Sequence, residues 1–479
     1  MIRLIKNELF KIFHKLSTYI ILAIALVFVV ITNIIYFYYD DNNDVYYDEI
    51  DINEINSFIN NYDPSTGSID DYVYNLALLD SYNLSYDYDV NSWQYNAFMT
   101  YYLDLNIEYY RELHTENDEE KIAELNAQML EMLQAIYNDD WKYFANIDAK
   151  AKEEEVKYYE NMLNTDNLSN DDIIQYNKLL YVSREELELI NYRLEEDVVY
   201  GDDYLNRAIS DIEQELYSMA EYLYEDEIDP EEYESLVKDF HENKYILEEK
   251  IDTKSSNNLR GVIMNFFNEY AFLILLFVIM IAGGIVSDEF NKGTIKTLLI
   301  VPHERTSILW AKYIAVVLCI PLIIGFLLLA QIIIGGIFLG FGSLSIPAVI
   351  YNVTTHSMEV LNVFSYFLVN MLANLPEILL LVTLAFACSV ILNNTAFAIT
   401  LTFGGMIASQ IINSLAYAYD IKILNYFVTT NWDFTVYLFG GQSIFGVTIG
   451  HSLLVCLTYL IIMLIVAFVV FIRKDIKNV

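Results

Sequence analysis

The sequence predicts a mainly α-helical membrane protein: a six-helix transmembrane bundle, an N-terminal interfacial elbow helix and a large, mostly helical extracellular insert between the first two spans. Two observations predict this fold class. Six apolar segments are long enough to cross a bilayer, and the charge is concentrated between the first two of them. Residues 40–261 hold 56 Asp and Glu against 15 Lys and Arg, a net charge of −41, whereas the rest holds 10 acids and 12 bases. The acidity therefore belongs to the insert.

The first predicted element is an amphipathic helix over Met1–Leu16. Its apolar residues recur at helical spacing on one face, and its bases lie on or beside the other. The apolar positions are Ile2, Ile5, Leu9, Ile12, Phe13 and Leu16, and the bases are Arg3, Lys6, Lys11 and Lys15. This pattern favours a helix lying in the cytoplasmic membrane interface. The alternative is a simple cytoplasmic extension of the first span.

Six segments meet the requirement of about 20 consecutive apolar residues for a membrane-crossing helix. They are Thr18–Tyr39, Phe266–Val286, Tyr313–Leu339, Met371–Leu392, Thr395–Leu415 and Val447–Ile472. Charged residues are almost absent inside them, as is usual for membrane helices. The first segment is not expected to be a cleaved signal peptide, because its apolar run is too long and no small-residue cleavage site follows it.

The distribution of Lys and Arg predicts the orientation of the bundle. An even number of spans places both termini and the second-to-third loop on one side, which has 11 of the 12 bases outside the insert; only Lys422 is opposite. The positive-inside rule makes that side cytoplasmic. The predicted protein is therefore a multi-pass cell-membrane protein. Residues 1–39 form the elbow helix and first span, 40–265 form an extracellular domain, and 266–479 form the remaining spans with a cytoplasmic loop at 287–312.

The insert is long enough for a domain with its own core, and it contains none of the three cysteines, so no disulfide can support it. Apolar periodicity predicts helices over Glu119–Tyr137 and Tyr204–Tyr224. A capping-box pattern at Ser183–Glu186 and the sequence Asp229–Glu232 predict two further helix starts. Residues 40–110 have poor periodicity, so short helices and loops are expected there.

Tyrosine is unusually frequent in the insert, which holds 27 of the 40 tyrosines, often beside acids as in Ser85–Asp89. One interpretation is a modest core in which tyrosine rings are buried while their hydroxyls reach water. The other is a surface that attracts cationic, partly apolar molecules, because acids steer cations and aromatic rings add cation–π contact. Both interpretations can hold for different residues.

Several common functional motifs are missing. The chain has no phosphate-binding G-x-x-x-x-G-K-[ST] and no G-x-S-x-G nucleophile motif. His303–Ser307 does not complete H-E-x-x-H, and the acids from Asp87 onward lack the glycine and the glutamate that a calcium loop requires. We therefore expect no catalytic residues, no metal site and no cofactor in this chain, and no nucleic-acid partner.

The loop Ser287–Lys312 carries the most specific pattern in the sequence. Acids open it, Gly293 and Thr294 are expected at a turn or a helix start, and the apolar run Ile295–Val301 ends at Pro302. A short amphipathic helix in such a loop could enter the groove of a cytoplasmic partner. The alternative is a connector that lies on the membrane surface and is held there by its lysines.

The same loop resembles the E-F-x-x-G-T-I-K-x-L-L-x-x-P-x-x-R stretch in permease subunits of bacterial ABC exporters of the type-2 family. The matching residues are Glu289, Phe290, Gly293, Thr294, Ile295, Lys296, Leu298, Leu299, Pro302 and Arg305. Residues 191–195, 423–437 and 471–477 also resemble Gram-positive members, and the N-terminal helix is similar to the family's elbow helix. The likeness covers residues 1–40 and 260–479, whereas much of the insert lies outside it.

The resemblance implies a permease that pairs with a separate P-loop ATP-binding subunit, which would bind ATP and Mg²⁺. Two permeases per complex are implied, as a homodimer or a heterodimer with a paralogue. Six residues would then couple the permease to the ATPase: Glu289, Gly293, Thr294, Lys296, Pro302 and Arg305. The insert is larger than is usual for such proteins. Its acidity suggests a cationic amphiphile, such as an antimicrobial peptide, as the exported compound.

Polar residues inside the spans are candidates for a translocation route. Glu377 follows Pro376 in the fourth span, and a carboxylate at membrane depth suggests a residue that lines a cavity. Alternatively, Glu377 lies near the external end of the span and faces water. Gln331, Asn374 and Gln410 are weaker candidates for the route or for helix contacts. The competing function is a membrane-anchored extracellular sensor or scaffold without transport.

Overall fold

The computed structural model describes residues 1–38, 51–115, 117–165, 168–224, 230–294, 304–419, 421–443 and 445–474. The chain is mainly α-helical, and among these residues six helices are long and apolar enough to cross a membrane, as the sequence predicts. Two compact units are present. Met1–Asn42 and Asp252–Val479 form the membrane unit, and Asn43–Ile251 forms the acidic unit.

The membrane unit begins with two separate helices, α1 (Ile2–Phe13) and α2 (Leu16–Tyr38). The turn at His14 and Lys15 interrupts the helix, so α1 is not a straight extension of the first span. The later helices of this unit are α12 (Leu259–Met264), α13 (Phe266–Gly284), α14 (Ser287–Asn291), α15 (Arg305–Leu339), α16 (Val363–Leu392), α17 (Thr395–Ala418) and α18 (Ile449–Arg473). The six candidate spans are α2, α13, α15, α16, α17 and α18.

Helices α15 and α16 are longer than their apolar runs. α15 begins at Arg305, whereas hydropathy alone predicts a start at Tyr313, and α16 begins at Val363 rather than Met371. The connection between them forms an antiparallel hairpin of β1 (Ala348–Asn352) and β2 (Ser357–Leu361), in which Ile350 lies opposite Glu359. Short 3₁₀ helices occur at Gly342–Ser345, Lys422–Tyr426 and Thr435–Gly440.

The core of the membrane unit is formed mainly by α13, α15 and α16. Aromatic and aliphatic side chains such as Phe266, Tyr270 and Phe386 are fully buried there. Helices α2, α17 and α18 have most of their apolar surface exposed, as expected for helices that contact lipid or another subunit.

The regular secondary structure that the described residues of the acidic unit form is helical. Its helices are α3 (Ile52–Asn60), α4 (Ile69–Ser85), α5 (Trp93–Ala97), α6 (Leu103–His114), α7 (Glu119–Tyr137), α8 (Trp141–Leu163), α9 (Asn170–Glu195), α10 (Tyr204–Tyr224) and α11 (Pro230–Glu249), with a π-helical turn at Phe98–Tyr102. The boundaries predicted for α7 and α10 are confirmed. Residue 229, the predicted cap of α11, lies outside the described residues.

The predicted helix start at Ser183 is wrong. Ser183 lies in the middle of α9, is buried, and donates a hydrogen bond from Oγ to Glu155 Oε2 at 3.2 Å. The capping box of this helix is instead formed by Ser169 and Asp172, whose side chains bond each other's backbone N–H groups. Packing of α9 along α8 therefore outweighs the local capping pattern.

Tyrosines of the acidic unit occur both in its core and on its surface. Tyr102 is buried beside Phe98 and Phe144 in a small aromatic core. Tyr86 and Tyr217, in contrast, are 74% and 59% exposed. Each of the two interpretations of the tyrosine-rich sequence therefore applies to part of the set.

Candidate functional site at one end of the helix bundle

A buried lysine lies near the start of α15. Lys312 has no exposed surface. Its Nζ lies 2.8 Å from Glu8 Oε2, 2.8 Å from Glu289 Oε1 and 3.3 Å from the carbonyl oxygen of Ile285. A charged side chain in a membrane span is costly unless it is paired, and such residues usually have a function. Lys312 therefore joins three helical segments, α1, α14 and α15, through one ammonium group.

A second lysine completes this cluster from α1. Lys11 Nζ donates to Glu8 Oε1 at 2.8 Å and to Glu289 Oε1 at 3.2 Å. Burial raises the pKa of Glu8, but the charges of Lys312 and Lys11 outweigh burial and hold the pKa below its usual value. Burial acts in the opposite direction on Lys11, yet Glu8 and Glu289 keep its pKa above the usual value. Both groups are therefore charged at neutral pH.

Asp288 forms the neighbouring ion pair. Its Oδ2 accepts a hydrogen bond from Lys15 Nζ at 2.9 Å, and its Oδ1 accepts one from Thr395 Oγ1 at 2.8 Å. Burial raises the pKa of Asp288, whereas the Lys15 and Thr395 hydrogen bonds lower it to a value below normal. Ser287 supports the same junction, because its N–H donates to Ser389 Oγ at 3.0 Å. This pair links the turn before α2 to α14 and α17.

Two further bases bind the carboxyl ends of helices. Lys474 Nζ, beyond the end of α18, lies 2.9 Å from the carbonyl oxygen of Val390 and 2.7 Å from Asn393 Oδ1, where α16 ends. Arg305 Nη1 donates to the carbonyl oxygens of Ile472 and Lys474 at 3.1 and 3.3 Å. Cations are favourable at these positions because the final carbonyl groups of a helix are unpaired and partially negative.

These contacts form three groups of polar interactions at a single end of the bundle: the Lys312 cluster, the Asp288 pair, and the helix-end contacts of Lys474 and Arg305. We refer to their residues as the polar belt: Glu8, Lys11, Lys15, Asp288, Glu289, Arg305, Lys312, Thr395 and Lys474. It includes or directly contacts residues at the near end of every candidate span. Its members come from sequence-distant segments, so displacement of any one segment must rearrange or break charged hydrogen bonds.

The predicted coupling residues lie in different environments. Glu289 and Arg305 belong to the polar belt, and Thr294 Oγ1 lies 3.4 Å from the carbonyl oxygen of Glu289. Gly293 has a φ of +70°, and a Cβ atom there would meet no atom of a described residue within 4 Å. Its backbone conformation, rather than close packing, is therefore what favours glycine. Lys296 and Pro302 lie outside the described residues.

Gln331, a predicted route residue, is fully buried in a hydrogen-bonded pair with Asn33 of α2. Asn33 Nδ2 donates to Gln331 Oε1 at 2.9 Å, and Gln331 Nε2 donates to Asn33 Oδ1 at 3.0 Å. Tyr270 OH of α13 donates to the same Oε1 at 2.6 Å. Amide pairs of this kind join membrane helices, so Gln331 connects α2, α13 and α15.

The other predicted route residues do not join this cluster. Asn374 Nδ2 donates to the carbonyl oxygen of Asn370 in its own helix at 2.9 Å. Glu377 is half-buried in α16, and Gln410 is exposed on α17. No hydrogen bond joins any two of the four predicted residues within the described part of the chain. Their role in a route remains a prediction.

Sequence reasoning missed Glu8 and Lys312 as site residues. Glu8 is the only acid among the first sixteen residues, and it lies between Ile5 and Ile12 on the apolar face of α1. Lys312 directly precedes the apolar run of the third span. The available signal was therefore a lone charge on an apolar face for Glu8 and a charge at the edge of an apolar run for Lys312, although neither position indicates its partner.

Comparisons with known proteins find one matching family model, which lies mainly in the membrane unit, and two similar proteins. Residues 234–477 match a family model described as "Protein of unknown function (DUF2705)". The chain is 32% identical over 238 residues to "Uncharacterized protein YhcI" of Bacillus subtilis (strain 168), which covers 49% of this chain and 75% of the relative. It is 30% identical over 212 residues to "Uncharacterized membrane protein YdbK" of the same strain, covering 43% of this chain and 78% of the relative. No solved structure matches the chain.

Proposed function

The chain belongs to the DUF2705 family of proteins of unknown function, and from this premise we propose that it is the permease subunit of an ATP-driven bacterial exporter. Three features support the proposal. The described residues include six candidate spans, the Ser287–Lys312 loop resembles the corresponding loop of type-2 exporter permeases, and the polar belt surrounds both ends of that loop.

The observation that carries the proposal is the position of Glu289 and Arg305. These residues lie on either side of the 295–303 segment. Glu289 contacts α1 and α15 through Lys11 and Lys312, and Arg305 contacts the end of α18. A partner that moves the loop would therefore act on several spans at once through charged contacts. Coupling of this kind requires a physical connection between the moving segment and the helices that respond.

The proposed partner is a P-loop ATPase that binds ATP and Mg²⁺ and contacts residues 287–312. A second permease, identical or paralogous, would complete the complex, with the translocation route at their interface. The exposed apolar surfaces of α2, α17 and α18 are available for that contact and for lipid. ATP hydrolysis belongs to the partner in this proposal, and the present chain supplies the route and the mechanical response.

The proposed topology places both termini and the polar belt in the cytoplasm. The bases of the belt and the remaining bases near the same helix ends support this orientation under the positive-inside rule. Helix α1 would lie in the cytoplasmic interface as an elbow, with its exposed residues Ile2 and Phe10 in contact with lipid. Residues 40–265 would then be extracellular.

The proposed substrate is a cationic amphiphile such as an antimicrobial peptide. A net charge of −41 in the insert raises the local concentration of cations. Exposed tyrosines such as Tyr86 and Tyr217 add apolar contact and cation–π attraction of about 0.5–1 kcal/mol each. Binding of a cationic peptide to the full chain in nanodiscs should exceed that of an anionic peptide and should weaken with added salt. Equal binding of the two peptides would refute this substrate class.

Substitution of Gly293 tests the coupling function. Valine is strained at a φ of +70°, whereas asparagine tolerates this conformation. In both variants the Cβ atom would meet no atom of a described residue within 4 Å. The complex of the chain with its P-loop partner should show peptide-stimulated ATP hydrolysis. We expect Gly293→Val to lose most of the stimulation and Gly293→Asn to retain it.

The controls separate coupling from assembly. Co-purification of the ATPase with each variant checks assembly, and hydrolysis without peptide checks the ATPase itself. If Gly293→Val is stimulated as strongly as the unchanged protein, the loop does not couple. If a kinase co-purifies with the chain in place of a P-loop ATPase, the sensor function replaces the exporter function.

A further inference from the structure

The acidic unit contains a cavity of about 570 Å³. Residues at the start of α5, the end of α9 and the start of α10 line it. Trp93, Met99, Tyr200 and Ile209 are among the apolar residues of its wall. This volume lies within the range of small-molecule sites, which combine apolar walls with a few fixed polar groups.

Arg193 is a fixed polar group in the wall of this cavity. The residue is 7% exposed. Its Nη1 donates to the carbonyl oxygen of Val198 at 3.2 Å and to Asn206 Oδ1 at 2.6 Å. Its guanidinium carbon lies 4.1 Å from the centre of the Tyr200 ring. The guanidinium is therefore held in one orientation before any ligand binds.

The residues that hold Arg193 are themselves held. Asn206 Nδ2 donates to the carbonyl oxygen of Val199 and to Asp203 Oδ2, both at 2.8 Å. The Tyr200 ring also packs edge-on against Trp141 at a centroid distance of 6.0 Å. The local fold thus fixes the charge at the cavity wall through several independent contacts.

The charge of Arg193 has no carboxylate partner within ion-pair distance in the described part of the chain, although the insert as a whole is strongly acidic. Its Nε and Nη2 atoms donate to no described residue, since both of its hydrogen bonds use Nη1. A buried, unpaired guanidinium is unfavourable and is stabilised when an anion binds to it. The planar N–H groups of arginine match the two oxygens of a carboxylate.

A negative group also faces the same cavity. Glu213 of α10 lines it, and its side chain is exposed. A carboxylate near aromatic rings is a suitable acceptor for an ammonium group. The cavity therefore presents one cationic group, one anionic group and apolar walls together.

We propose that this cavity binds a small zwitterion, in which a carboxylate contacts Arg193, an ammonium group contacts Glu213, and an apolar side chain packs among Trp93, Met99 and Ile209. Free apolar amino acids and short apolar peptides share this chemistry. The site goes beyond the proposed export function and does not depend on it, because all of its residues lie in the acidic unit.

The test uses the full-length protein in nanodiscs and calorimetric titration. The probes are L-phenylalanine and L-alanyl-L-phenylalanine, compared with phenethylamine, which lacks the carboxylate, and 3-phenylpropanoate, which lacks the ammonium. At least one zwitterionic probe should bind at least tenfold more tightly than both partial analogues. The preferred probe identifies the ligand as a free amino acid or a peptide.

Variants of the acidic unit locate the site. Ser210 lines the cavity and Ser218 does not, although both are exposed on α10. Ser210→Trp should weaken binding at least tenfold, whereas Ser218→Trp should leave it unchanged. Arg193→Lys retains the charge and loses the planar pair of donors, so it should weaken the zwitterion at least tenfold while phenethylamine is unaffected.

Three results would overturn the proposal. The first is that none of the zwitterionic probes binds the unchanged protein, and the second is that they bind Ser210→Trp as tightly as Ser218→Trp. The third is that 3-phenylpropanoate equals both zwitterions in affinity, since Glu213 would then have no role. None of these results bears on the coupling experiment, which depends on Gly293.

Discussion

Lys312 shows how the burial of a single charged residue depends on its partners. A lysine without exposed surface is stable only because Glu8 and Glu289 lie on either side of it and Lys11 balances the second carboxylate. The four side chains carry two positive and two negative charges, so the cluster is neutral. A neutral cluster avoids most of the cost of burying charge, whereas removal of one member leaves an excess charge in the same place.

Removal of Lys312 should therefore strongly destabilise the membrane unit. Lys312→Met leaves Glu8 and Glu289 with only Lys11, and loss of one member of a buried pair typically costs about 3–5 kcal/mol. We expect a clear fall in the melting temperature of the detergent-solubilised protein. Lys6→Met, which changes an exposed base on the same helix α1, serves as the control and should leave the melting temperature unchanged.

A double substitution tests the physical reason. Glu8→Gln combined with Lys312→Met removes one charge of each sign, so it should be less destabilising than the sum of the two single changes. Additive losses would contradict the ion-pair explanation and favour a packing role for Lys312.

The polar belt also predicts a dependence of stability on pH. The pKa of Glu8 is lowered from 4.5 in the folded protein, so the carboxylate contributes stability above that pH and loses it as the pH falls through the folded pKa. The pKa of Lys11 is raised from 10.5, so its contribution is present below that pH and is lost as the pH rises through the folded value. The melting temperature should fall below pH 4.5 and above pH 10.5.

Glu8→Gln separates this contribution from general acid denaturation. The amide cannot titrate, so the variant should be less stable than the unchanged protein at neutral pH. Its melting temperature should fall less on acidification. Glu304→Gln changes an exposed acid at the start of α15 and provides the matched control. An acid response of Glu8→Gln equal to that of the unchanged protein would refute the assignment.

At the scale of elements, close approach of α2 and α15 depends on a glycine. A Cβ atom at Gly335 would lie 2.5 Å from Gln331 Nε2 and 2.8 Å from Asn33 Oδ1. Glycine therefore leaves space for the amide pair between the two helices. Interhelical hydrogen bonds in membranes contribute roughly 0.6 kcal/mol on average, and overpacking of a tight contact adds about 1–3 kcal/mol.

Gly335→Ala should consequently destabilise the bundle by about 1–3 kcal/mol, because the methyl group must displace the amide pair. Gly325 lies in the same helix, and a methyl group added there would meet no atom of the described part of the chain within 4 Å, so Gly325→Ala is the matched control. Thermal unfolding in detergent measures both changes. Equal melting temperatures for the two variants would show that the amide pair does not hold α2 against α15.

At the scale of the whole molecule, the separation of charge predicts the topology. Ser218 is exposed in the acidic unit, and Lys292 is exposed within the Ser287–Lys312 loop. A cysteine introduced at Ser218 should react with a membrane-impermeant thiol reagent on intact cells, whereas one at Lys292 should react only after the membrane is opened. The three native cysteines are buried, so the unchanged protein supplies the background. Labelling of Lys292→Cys alone on intact cells would invert the proposed topology.

The sequence alone was sufficient to predict those structural features that depend on residues close together in the chain. The six spans follow from long apolar runs, and the boundaries of Glu119–Tyr137 and Tyr204–Tyr224 follow from apolar spacing within each helix. The capping-box pattern at Ser183 gave a wrong helix start, because α9 packs against α8 at this position and continues past it. The sequence singled out Gly293 as a residue of the Ser287–Lys312 loop pattern. Only the structure, in which its φ is +70°, showed that backbone conformation and not close packing favours glycine there.

The tertiary structure decided which polar residues act together. Glu8 and Lys312 are 304 positions apart in the chain, and Asn33 and Gln331 are 298 apart. Nothing in the spacing of such residues indicates their partners, since one chain offers no record of which distant segments meet. Burial imposes the pairing: once the helices assemble, a charge or amide removed from water must find a complementary group, and the packing of the helices determines which group is within reach.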